Sequence, residues 1–444
     1  MSVRLIDGLA TTEALADLFS DPSVLRALLD VEAALARAAA QAGAIPARAA
    51  EVIVRAAGSQ GIDPAAIARE MPASGTPALA LVNALRDAVR AIDRDSAGFV
   101  HWGATSQDVS DSALLVLLRR AHELVAADHA RLDLALRRLS DAHAGTVMLG
   151  RTLLQPATPI TFGLKAAGWC AAIGRSWARL TSAWQQVLVV QFGGAAGTRA
   201  AAGAQASRIA DAFAAELGLA AGPPWHTDRD RLGALIASCG LHAAALGKTA
   251  RDITLLMQDE VGEVAERGGS SSTMPHKRNP AGCAVVLAAA ARLPGLVSTF
   301  LTAMVQEHER GVGGWHAEWP VIAAVVQTTG VAAATLADVV QGLEIDTARM
   351  RRNIEATRGV VFAERAVMLL APRLGREEAQ TIVSAAVARS RESGQSFADA
   401  LRATPRVAAA LPADVLADLD RPESYLGDAE VIRRQLLAGG GSSA

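Results

Sequence analysis

The chain has 444 residues, of which 51% are hydrophobic and 20% charged, and its formal net charge is −2. This length predicts more than one domain, or one large elongated domain, with ample apolar material for a core. Alanine is roughly a fifth of the chain and aromatic residues are 4%, a composition that favours close-packed helices over sheets. The near balance of 43 Lys and Arg against 45 Asp and Glu argues against a surface that coats nucleic acid.

The sequence also argues against export, a membrane span and a disulfide framework. The N-terminus lacks the basic start and continuous apolar stretch of a signal peptide. No apolar run reaches about 18 residues without a charged or polar interruption. Cys170, Cys239 and Cys283 lie far apart without CxxC spacing, so neither disulfides nor a zinc site are predicted. We therefore predict a soluble, reduced, cytoplasmic protein with no metal and no membrane or nucleic-acid partner.

Helical periodicity and turn signals divide the chain into three predicted segments. They are an N-terminal domain of short helices at 1–100, a central part at 101–345, and a C-terminal helical domain at 346–444 with a disordered tail. In the central part, long helices are predicted at 105–143, 157–190, 228–264, 281–304 and 316–342. Their Ala and Leu stripes need several partners to cover them. The predicted fold is therefore all-α, with three helical domains and a central bundle of about five long helices.

Polar residues concentrate at three junctions between the long helices, which we call the first, second and third polar islands. They are residues 101–108 (HWGATSQD), 150–159 (GRTLLQPATP) and 268–280 (GGSSSTMPHKRNP). The third contains glycines and hydroxyls and then turns basic, as a closing active-site lid requires. A flexible solvated linker would not need the order Met-Pro-His-Lys-Arg-Asn-Pro.

The other two islands are ambiguous when each is considered alone. In the first, Thr105 and Ser106 at a helix N-terminus suit a carboxylate ligand. Thr105 followed by Asp108 also fits a capping box, which needs no ligand. In the second, Arg151 and Gln155 could equally be solvated loop residues, since the prolines there mark the start of a helix.

Together the islands resemble the conserved regions of the fumarase/aspartase superfamily, which includes argininosuccinate and adenylosuccinate lyases. Ser-Ser-Thr-Met-Pro-His-Lys-Arg-Asn-Pro looks like the superfamily signature. His-Trp-Gly-Ala-Thr-Ser-Gln-Asp-Val and Gly-Arg-Thr-x-x-Gln-Pro-Ala resemble the first and second conserved regions, in the right order. The resemblance covers essentially the whole chain and implies an all-helical, three-domain subunit assembled as a homotetramer.

Helix length argues for assembly independently of the resemblance. If the long helices alternate in direction, the second and third islands lie at one end of the bundle and the first some 50 Å away. One chain would not bring all three to one ligand, whereas antiparallel neighbours would. We therefore expect sites that are shared between subunits.

The resemblance also implies roles for individual residues. Superfamily lyases remove a proton from the carbon beside a carboxylate and expel a leaving group. The serine six residues before the signature lysine, here Ser271, would be the carbon acid/base, and Lys277 and Asn279 would stabilise the enolate-like intermediate. The residues expected to bind substrate are His101, Thr105, Ser106, Gln107, Arg151, Thr152, Gln155, Ser272, Met274, Arg278 and Arg310.

The chain differs from the superfamily pattern at two positions, and these differences restrict which reactions of the superfamily are expected. The lyases usually have His where this chain has Leu153, and Glu where it has Ala284. Those two residues pair in the superfamily and help to protonate a departing amine or hydroxide. A cycloisomerase does not need them, because in the reverse of lactonisation the leaving group is a carboxylate, whose conjugate acid has a pKa near about 4.

Other segments resemble the 3-carboxy-cis,cis-muconate cycloisomerase family, at 193–198, 306–310, 314–319 and 422–427. This resemblance implies cofactor-free conversion of a tricarboxylate to 4-carboxymuconolactone, in the protocatechuate branch of bacterial aromatic catabolism, the β-ketoadipate pathway. A tricarboxylate requires a locally cationic site. His276 is a further candidate for this cationic site, in addition to the substrate-binding residues named above.

Two alternatives stay open. An adenylosuccinate- or argininosuccinate-type lyase would share the His-Lys-Arg-Asn-Pro run, although Leu153, Ala284 and the absence of histidine from 71–77 weigh against it. A non-enzymatic helical assembly protein on the same scaffold would not need an intact set of Ser271, Lys277 and Asn279.

Overall fold

The structure is a computed structural model that describes residues 5–59, 61–269, 274 and 277–439. Ser271, Ser272 and His276 lie outside these residues. Within them the chain is almost entirely helical, with two short pairs of antiparallel strands. The predicted all-α class is therefore confirmed.

The helices of the described residues are α1 (Glu13–Leu18), α2 (Asp21–Gln41), α3 (Ala47–Ala57), α4 (Pro64–Ser74), α5 (Pro77–Ile92), α6 (Ser106–Ala142), α7 (Phe162–Val187), α8 (Ala206–Leu217), α9 (Asp230–Leu256), α10 (Ala281–Ala303), α11 (Gly314–Gln341), α12 (Thr347–Ala356), α13 (Ala363–Leu374), α14 (Arg376–Ser393), α15 (Phe397–Arg402), α16 (Pro405–Ala410), α17 (Ala413–Ala417) and α18 (Ala429–Gly439). Short 3₁₀ helices cover Asp95–Phe99, Ala200–Gln205, Val360–Phe362 and Pro422–Tyr425. The strands are β1 (Val147–Thr152), β2 (Gln155–Thr161), β3 (Val264–Ala265) and β4 (Glu344–Ile345), and they pair as β1–β2 and β3–β4.

The five long helices are those predicted from the periodicity, with two corrections at their ends. α6, α7, α9, α10 and α11 have 37, 26, 27, 23 and 28 residues. α7 begins at Phe162 rather than 157, because the prolines taken as a helix start lie in β2, a strand with a single partner that tolerates proline. α9 ends at Leu256 rather than 264, and the chain then forms a turn in which the N–H groups of Val261 and Gly262 donate to the carbonyl oxygen of Gln258.

The chain divides into two compact units. Unit 1 comprises Met1–Ala130, Ser176–Gly247 and Val285–Thr335, and unit 2 comprises Arg131–Arg175, Lys248–Ala284 and Leu336–Ala444. Each of the five long helices contributes residues to both units. This division follows spatial contacts rather than segments of the sequence, and the three-domain organisation stays a prediction.

Unit 1 contains a large apolar core. α2 packs against α3 and α8, and the core includes Leu35, Ile53, Leu85, Trp184 and Phe213, all buried. Full burial of one such side chain contributes about 1.5–3 kcal/mol. The many buried alanines let the helix backbones approach closely, which is the structural consequence of the alanine-rich composition.

Unit 2 is built around the β1–β2 hairpin and the C-terminal helices. The hairpin pairs Val147 with Thr161 at its base and Thr152 with Gln155 at its tip. Two leucines form the tip, and both have positive φ, 50° at Leu153 and 63° at Leu154. This is the backbone twist that two-residue hairpin loops require. β1 contacts α12, and the helices α13 to α15 share a separate apolar cluster.

Among the described residues, α10 and α11 are long and apolar enough to cross a membrane, by length and composition alone. Core helices of proteins without a membrane span also meet this criterion. In α11, 67% of the most apolar stretch is buried, whereas in α10 only 22% is buried. Within a single chain, α10 therefore leaves most of an apolar helix uncovered.

Candidate active site

The first polar island forms the N-terminal end of α6 in unit 1. α6 begins at Ser106, directly after Thr105. The backbone N–H of Thr105 donates to Oδ2 of Asp108 at 3.0 Å, which is the reciprocal bond of the predicted capping box. The hydroxyls of Thr105 and Ser106 therefore lie at the positive end of a long helix dipole.

The carboxylate of Asp108 does more than cap this helix. It is only 1% exposed, and it accepts the N–H groups of Gly193 at 2.9 Å and Gly194 at 2.8 Å and the side-chain amide of Gln191 at 2.8 Å. Nε2 of His226 lies 3.3 Å from Oδ1. A Cβ at position 193 would lie 2.6 Å from the ring of His226, so only glycine fits. Asp108 thus fastens the glycine-rich 193–198 segment to α6.

Arg310 reaches the same place from the loop before α11. Its Nη1 donates to Oγ1 of Thr105 at 2.8 Å, and its Nη2 donates to the carbonyl oxygen of Ala195 at 3.0 Å. None of the described carboxylates forms an ion pair with Arg310. The structure therefore brings together two predicted substrate-binding residues, and the guanidinium keeps its charge beside the α6 N-terminus.

His101 is held by a buried acid. Its Nδ1 lies 2.6 Å from Oε1 of Glu32 on α2, and the Glu32 side chain is fully buried. Burial lowers the pKa of His101, but the charge and hydrogen bond of Glu32 outweigh it, so that the pKa lies above its usual 6.5. The cationic form of His101 is therefore more stable than that of a free imidazole, which suits an anionic ligand.

Gln107 lies in the interior instead of facing solvent. Its side-chain amide donates to Oδ2 of Asp111 at 3.2 Å and to the carbonyl oxygen of His226 at 2.9 Å. It thereby joins a buried ion-pair network centred on Arg229, which bonds Asp111 at 2.7 Å and Glu318 at 2.6 Å. The amide nitrogen of Gln107 is thus held inside unit 1, whereas its Oε1 has no hydrogen-bond partner among the described residues, and its role in substrate binding stays a prediction.

The same network extends to the loop that carries Arg310. Nε2 of Gln306 donates to Oε1 of Glu318 at 2.7 Å, and Nε1 of Trp315 donates to Oδ1 of Asp111 at 3.0 Å. Burial disfavours the charge on Arg229, but the two carboxylates outweigh it and raise the pKa of Arg229 above its usual value. The charged groups of this buried network are all paired, which fixes the relative position of the segments that it joins, although Oε1 of Gln107 and Oε1 of Gln306 have no hydrogen-bond partner in the part of the chain that the structure describes.

The second polar island is the β1–β2 hairpin of unit 2. Arg151 forms a bidentate ion pair with the buried Glu263, at 2.9 and 2.7 Å. Nδ2 of Asn353 donates to the same carboxylate at 2.8 Å. Thr152 and Gln155 flank the exposed hairpin tip. Arg151 is therefore neutralised within its own unit, whereas Thr152 and Gln155 are free to face a ligand.

Lys165 lies near this ion pair on α7. Burial is the main cause that lowers its pKa below the usual 10.5, and the charges of Lys248 and Arg151 lower it further, against the opposing effect of Asp252. Lys165 adds a partly buried basic side chain to the part of unit 2 that holds Arg151.

The third polar island is described only in part. The N–H of Lys277 donates to the carbonyl oxygen of Met274 at 3.0 Å, and the N–H of Asn279 donates to that of Gly269 at 2.8 Å. Lys277 is exposed, and Arg278 forms an ion pair with Glu344. Gly269 has φ 68°, and a Cβ there would lie 2.0 Å from the carbonyl oxygen of Asn279. Glycine is thus required where the two ends of the 269–279 segment meet.

The predicted site residues therefore fall into two groups. Unit 1 holds His101, Thr105, Ser106, Gln107 and Arg310, and unit 2 holds Arg151, Thr152, Gln155, Met274, Lys277, Arg278 and Asn279. Ser271 and Ser272 lie outside the described residues. No group of three or more potential ligands among the described residues is arranged to hold a metal ion.

The sequence did not indicate several residues that hold the predicted site residues in place. They include the buried acids Glu32, Asp111, Glu263 and Glu318 and the buried Arg229. A usable signal was present, because a lone carboxylate on the apolar face of a helix must find a partner. The identity of each partner depends on tertiary structure and was not readable from spacing.

Comparisons with known proteins place the chain in a family. Residues 9–295 match the family model described as lyase, and residues 359–436 match the adenylosuccinate lyase C-terminus. The chain is 45% identical over 440 residues to a 3-carboxy-cis,cis-muconate cycloisomerase of Pseudomonas aeruginosa, covering 98% of this chain and 96% of the relative. The chain belongs to the fumarase/aspartase superfamily of lyases.

A solved structure and a second relative complete the comparison. The crystal structure of the 3-carboxy-cis,cis-muconate lactonizing enzyme from Pseudomonas putida superposes with a TM-score of 0.94 at 42% identity, covering 99% of both chains. A nitrosuccinate lyase of Streptomyces davaonensis is 40% identical over 423 residues, covering 92% of this chain and 89% of the relative. The resemblances predicted from the sequence are confirmed, and so is the prediction that this superfamily member is an enzyme.

Proposed function

We propose that the protein converts 3-carboxy-cis,cis-muconate to 4-carboxymuconolactone. The observation that carries the proposal is 45% identity, across nearly the full length, to a protein named as this cycloisomerase. The chemistry agrees with it. Leu153 and Ala284 replace the pair that protonates a basic leaving group in the lyases, and a carboxylate needs no such help.

In the proposed mechanism, a carboxylate oxygen of the substrate adds to a carbon of the double bond. The π electrons move toward the conjugated carboxylate and form an enolate-like dianion. Ser271 gives its proton to the carbon beside that carboxylate, and solvent later restores the proton to the serine. Lys277 and Asn279 donate to the enolate oxygens, where negative charge is greatest in the transition state.

The first polar island supplies the binding of substrate carboxylates in this scheme. The hydroxyls of Thr105 and Ser106 lie at the N-terminus of α6, where the helix dipole favours an anion. Arg310 donates to Thr105 and has no carboxylate partner among the described residues. His101, whose cationic form Glu32 stabilises, adds a second positive group when it is protonated. A tricarboxylate substrate needs this local excess of positive charge.

We further propose a homotetramer with sites shared between subunits. α6 separates the first and second islands along the chain and has 37 residues, about 55 Å of helix. The apolar and mostly uncovered surface of α10 supplies a driving force for association. In this proposal the enzyme acts in the cytoplasm in bacterial protocatechuate catabolism, without a cofactor.

The second candidate is a lyase acting on nitrosuccinate, since a protein of that name is 40% identical. Elimination of a nitro group releases nitrite, which, like a carboxylate, is a weak base. The absence of the protonating pair therefore does not separate the two reactions. The number of substrate carboxylates does, because nitrosuccinate has two and carboxymuconate three.

The deciding experiment is an ultraviolet assay of the purified protein with four substrates. They are 3-carboxymuconate, nitrosuccinate, adenylosuccinate and argininosuccinate. We expect loss of diene absorbance with the first and negligible fumarate formation with the other three. Efficient cleavage of any of the three succinates, without lactonisation, would refute the proposal.

A further inference from the structure

A groove of about 940 Å³ lies within unit 2, between the β1–β2 hairpin and the C-terminal end of α14. Leu154 and Gln155 of the hairpin line one part of it. Val361 and Val387 contribute apolar surface, and Arg358 and Arg391 contribute cations. This volume lies at the upper end of the usual range for small-molecule sites.

The two arginines are exposed and unneutralised. Neither Arg358 nor Arg391 forms an ion pair with any of the described residues. The third arginine of the lining, Arg151, is already paired with Glu263 at 2.7 Å. Glu260 is the single acidic residue of the lining. The groove therefore holds two available positive charges against one negative charge.

Arg358 and Arg391 both line this groove, and they come from different parts of the chain. Arg391 lies in the last turn of α14, whose C-cap is Gly394. Arg358 follows α12, and a Cβ at Gly394 would lie 3.4 Å from its Nη1. A cation in the last turn of a helix complements the helix dipole, which accounts for Arg391. It does not account for a second arginine brought there by another element.

We propose that this groove is a carboxylate-binding subsite for the substrate, with Arg358 and Arg391 as its anion-binding residues. The inference rests on the proposed function, since it assigns the subsite to a tricarboxylate. Two guanidinium groups on a partly apolar groove fit a short unsaturated chain that carries several carboxylates. In this scheme the groove favours tricarboxylates over dicarboxylates.

The test uses Arg358→Gln, Arg391→Gln and the double variant in the full-length protein. Arg376→Gln is the matched control, because Arg376 is exposed at the opposite end of α14 and does not line the groove. Calorimetry gives the Kd of two probes, the tricarboxylate tricarballylate and the dicarboxylate succinate. Steady-state kinetics give KM and kcat for lactonisation.

We expect the double variant to weaken tricarballylate binding at least about tenfold and to weaken succinate binding less. KM for 3-carboxymuconate should rise by a similar factor with kcat within about twofold, the pattern for loss of uniform binding. Arg358→Lys should recover part of the affinity, and Arg376→Gln should match the wild type. Circular dichroism and Tm verify that every variant is folded.

Three results would overturn the inference. The first is that the double variant binds tricarballylate as tightly as the wild type does. The second is that Arg376→Gln weakens tricarballylate binding as much as the double variant does. The third is that the double variant loses tricarballylate binding while its KM for 3-carboxymuconate is unchanged. The last would mean that the groove binds polycarboxylates other than the substrate. If the wild type does not lactonise carboxymuconate, the proposed function fails, while the calorimetry still reports whether the two arginines bind a tricarboxylate.

Discussion

Nη1 of Arg310 donates a 2.8 Å hydrogen bond to Oγ1 of Thr105, a residue 205 positions earlier in the chain. The bond directs a hydroxyl and a guanidinium toward the same end of α6. A carboxylate at this end would meet both groups as well as the positive end of the helix dipole. Arg310, which contacts the first island from another part of the chain, is therefore the residue whose charge matters most for an anionic ligand there.

Replacing Arg310 tests this arrangement. Arg310→Ala should lower kcat/KM for lactonisation by at least about tenfold, since a charge-assisted hydrogen bond to a charged group contributes about 1.5–3 kcal/mol. Arg310→Lys should recover only part, because lysine cannot hold Thr105 and Ala195 with one planar fork. Arg208→Ala, at an exposed position of α8, should leave kcat/KM unchanged. Wild-type activity in Arg310→Ala would remove this residue from the site.

Ser271 is the predicted proton carrier. Ser271→Ala should lower kcat by at least about a hundredfold without loss of helical circular dichroism, as expected when a positioned proton donor is removed. Ser270→Ala, the same change one residue earlier, is the control and should reduce kcat far less. Near-normal turnover by folded Ser271→Ala would exclude the serine from the mechanism.

Shared sites predict complementation between inactive chains. Subunits with Ser271→Ala and subunits with Thr105→Ala plus Ser106→Ala should regain activity when they are refolded together, because hybrids contain some sites with both islands intact. Each chain refolded alone gives the baseline, and size-exclusion chromatography with light scattering gives the oligomeric state. Full activity in a demonstrated monomer would contradict the shared-site proposal.

The missing protonating pair can be restored. Leu153 is 97% exposed at the hairpin tip, and Ala284 is exposed on α10, so Leu153→His with Ala284→Glu leaves the core of unit 2 untouched. The double change should not accelerate lactonisation and should rather slow it, because an added carboxylate repels a tricarboxylate. Ala284→Glu alone should slow lactonisation more than the double change, since no imidazole then accompanies the added carboxylate. Markedly faster lactonisation by the double variant would refute the argument.

Buried histidine predicts acid sensitivity. Burial, with a smaller contribution from His129, lowers the pKa of His242 from 6.5 to about 3. The unfolded chain takes up this proton near pH 6.5 while the folded chain does not. Stability should therefore fall as pH drops from about 6.5 toward 3, by up to about 1.4 kcal/mol per pH unit from this group.

The measurement is the decrease in Tm between pH 7.5 and pH 5 by calorimetry. His242→Gln should show a smaller decrease than the wild type, because glutamine does not titrate and can still bond the Ser176 hydroxyl that lies 2.9 Å from Nδ1 of His242. His316→Gln, at an exposed position, should show the wild-type decrease. An unchanged decrease in His242→Gln would show that other groups dominate acid unfolding.

The helices were predictable from the sequence where local signals are unambiguous. α6 begins within one residue of the predicted position, because Thr105 and Asp108 provide a capping pattern that few other structures satisfy. The start of α7 was missed because Pro156 and Pro159 are equally compatible with a helix N-terminus and with a hairpin strand that has one partner. The pairing of β2 with β1, and not the local propensity, decides between them.

The sequence predicts a set of candidate site residues but not the contacts among them. Thr105 and Arg310 were both expected to bind substrate, yet nothing in their spacing indicated that they touch. Asp108 was expected to cap a helix, and its bonds to Gly193 and Gly194 depend on a loop 85 residues away. Gln107 is a different case. Its position in the motif predicts contact with a ligand, and its side-chain amide donates to the carbonyl oxygen of His226 in the interior.

The conformation of Gly269 limits how this position can evolve. Because its φ is left-handed and a Cβ would lie 2.0 Å from the carbonyl oxygen of Asn279, every substitution at this position would strain the backbone. The neighbouring serines can be substituted without separating the two ends of the 269–279 segment. A substitution of Gly269 would not be neutral. A lineage that abandons this enzyme's reaction should therefore lose its hydroxyl groups before it loses this glycine.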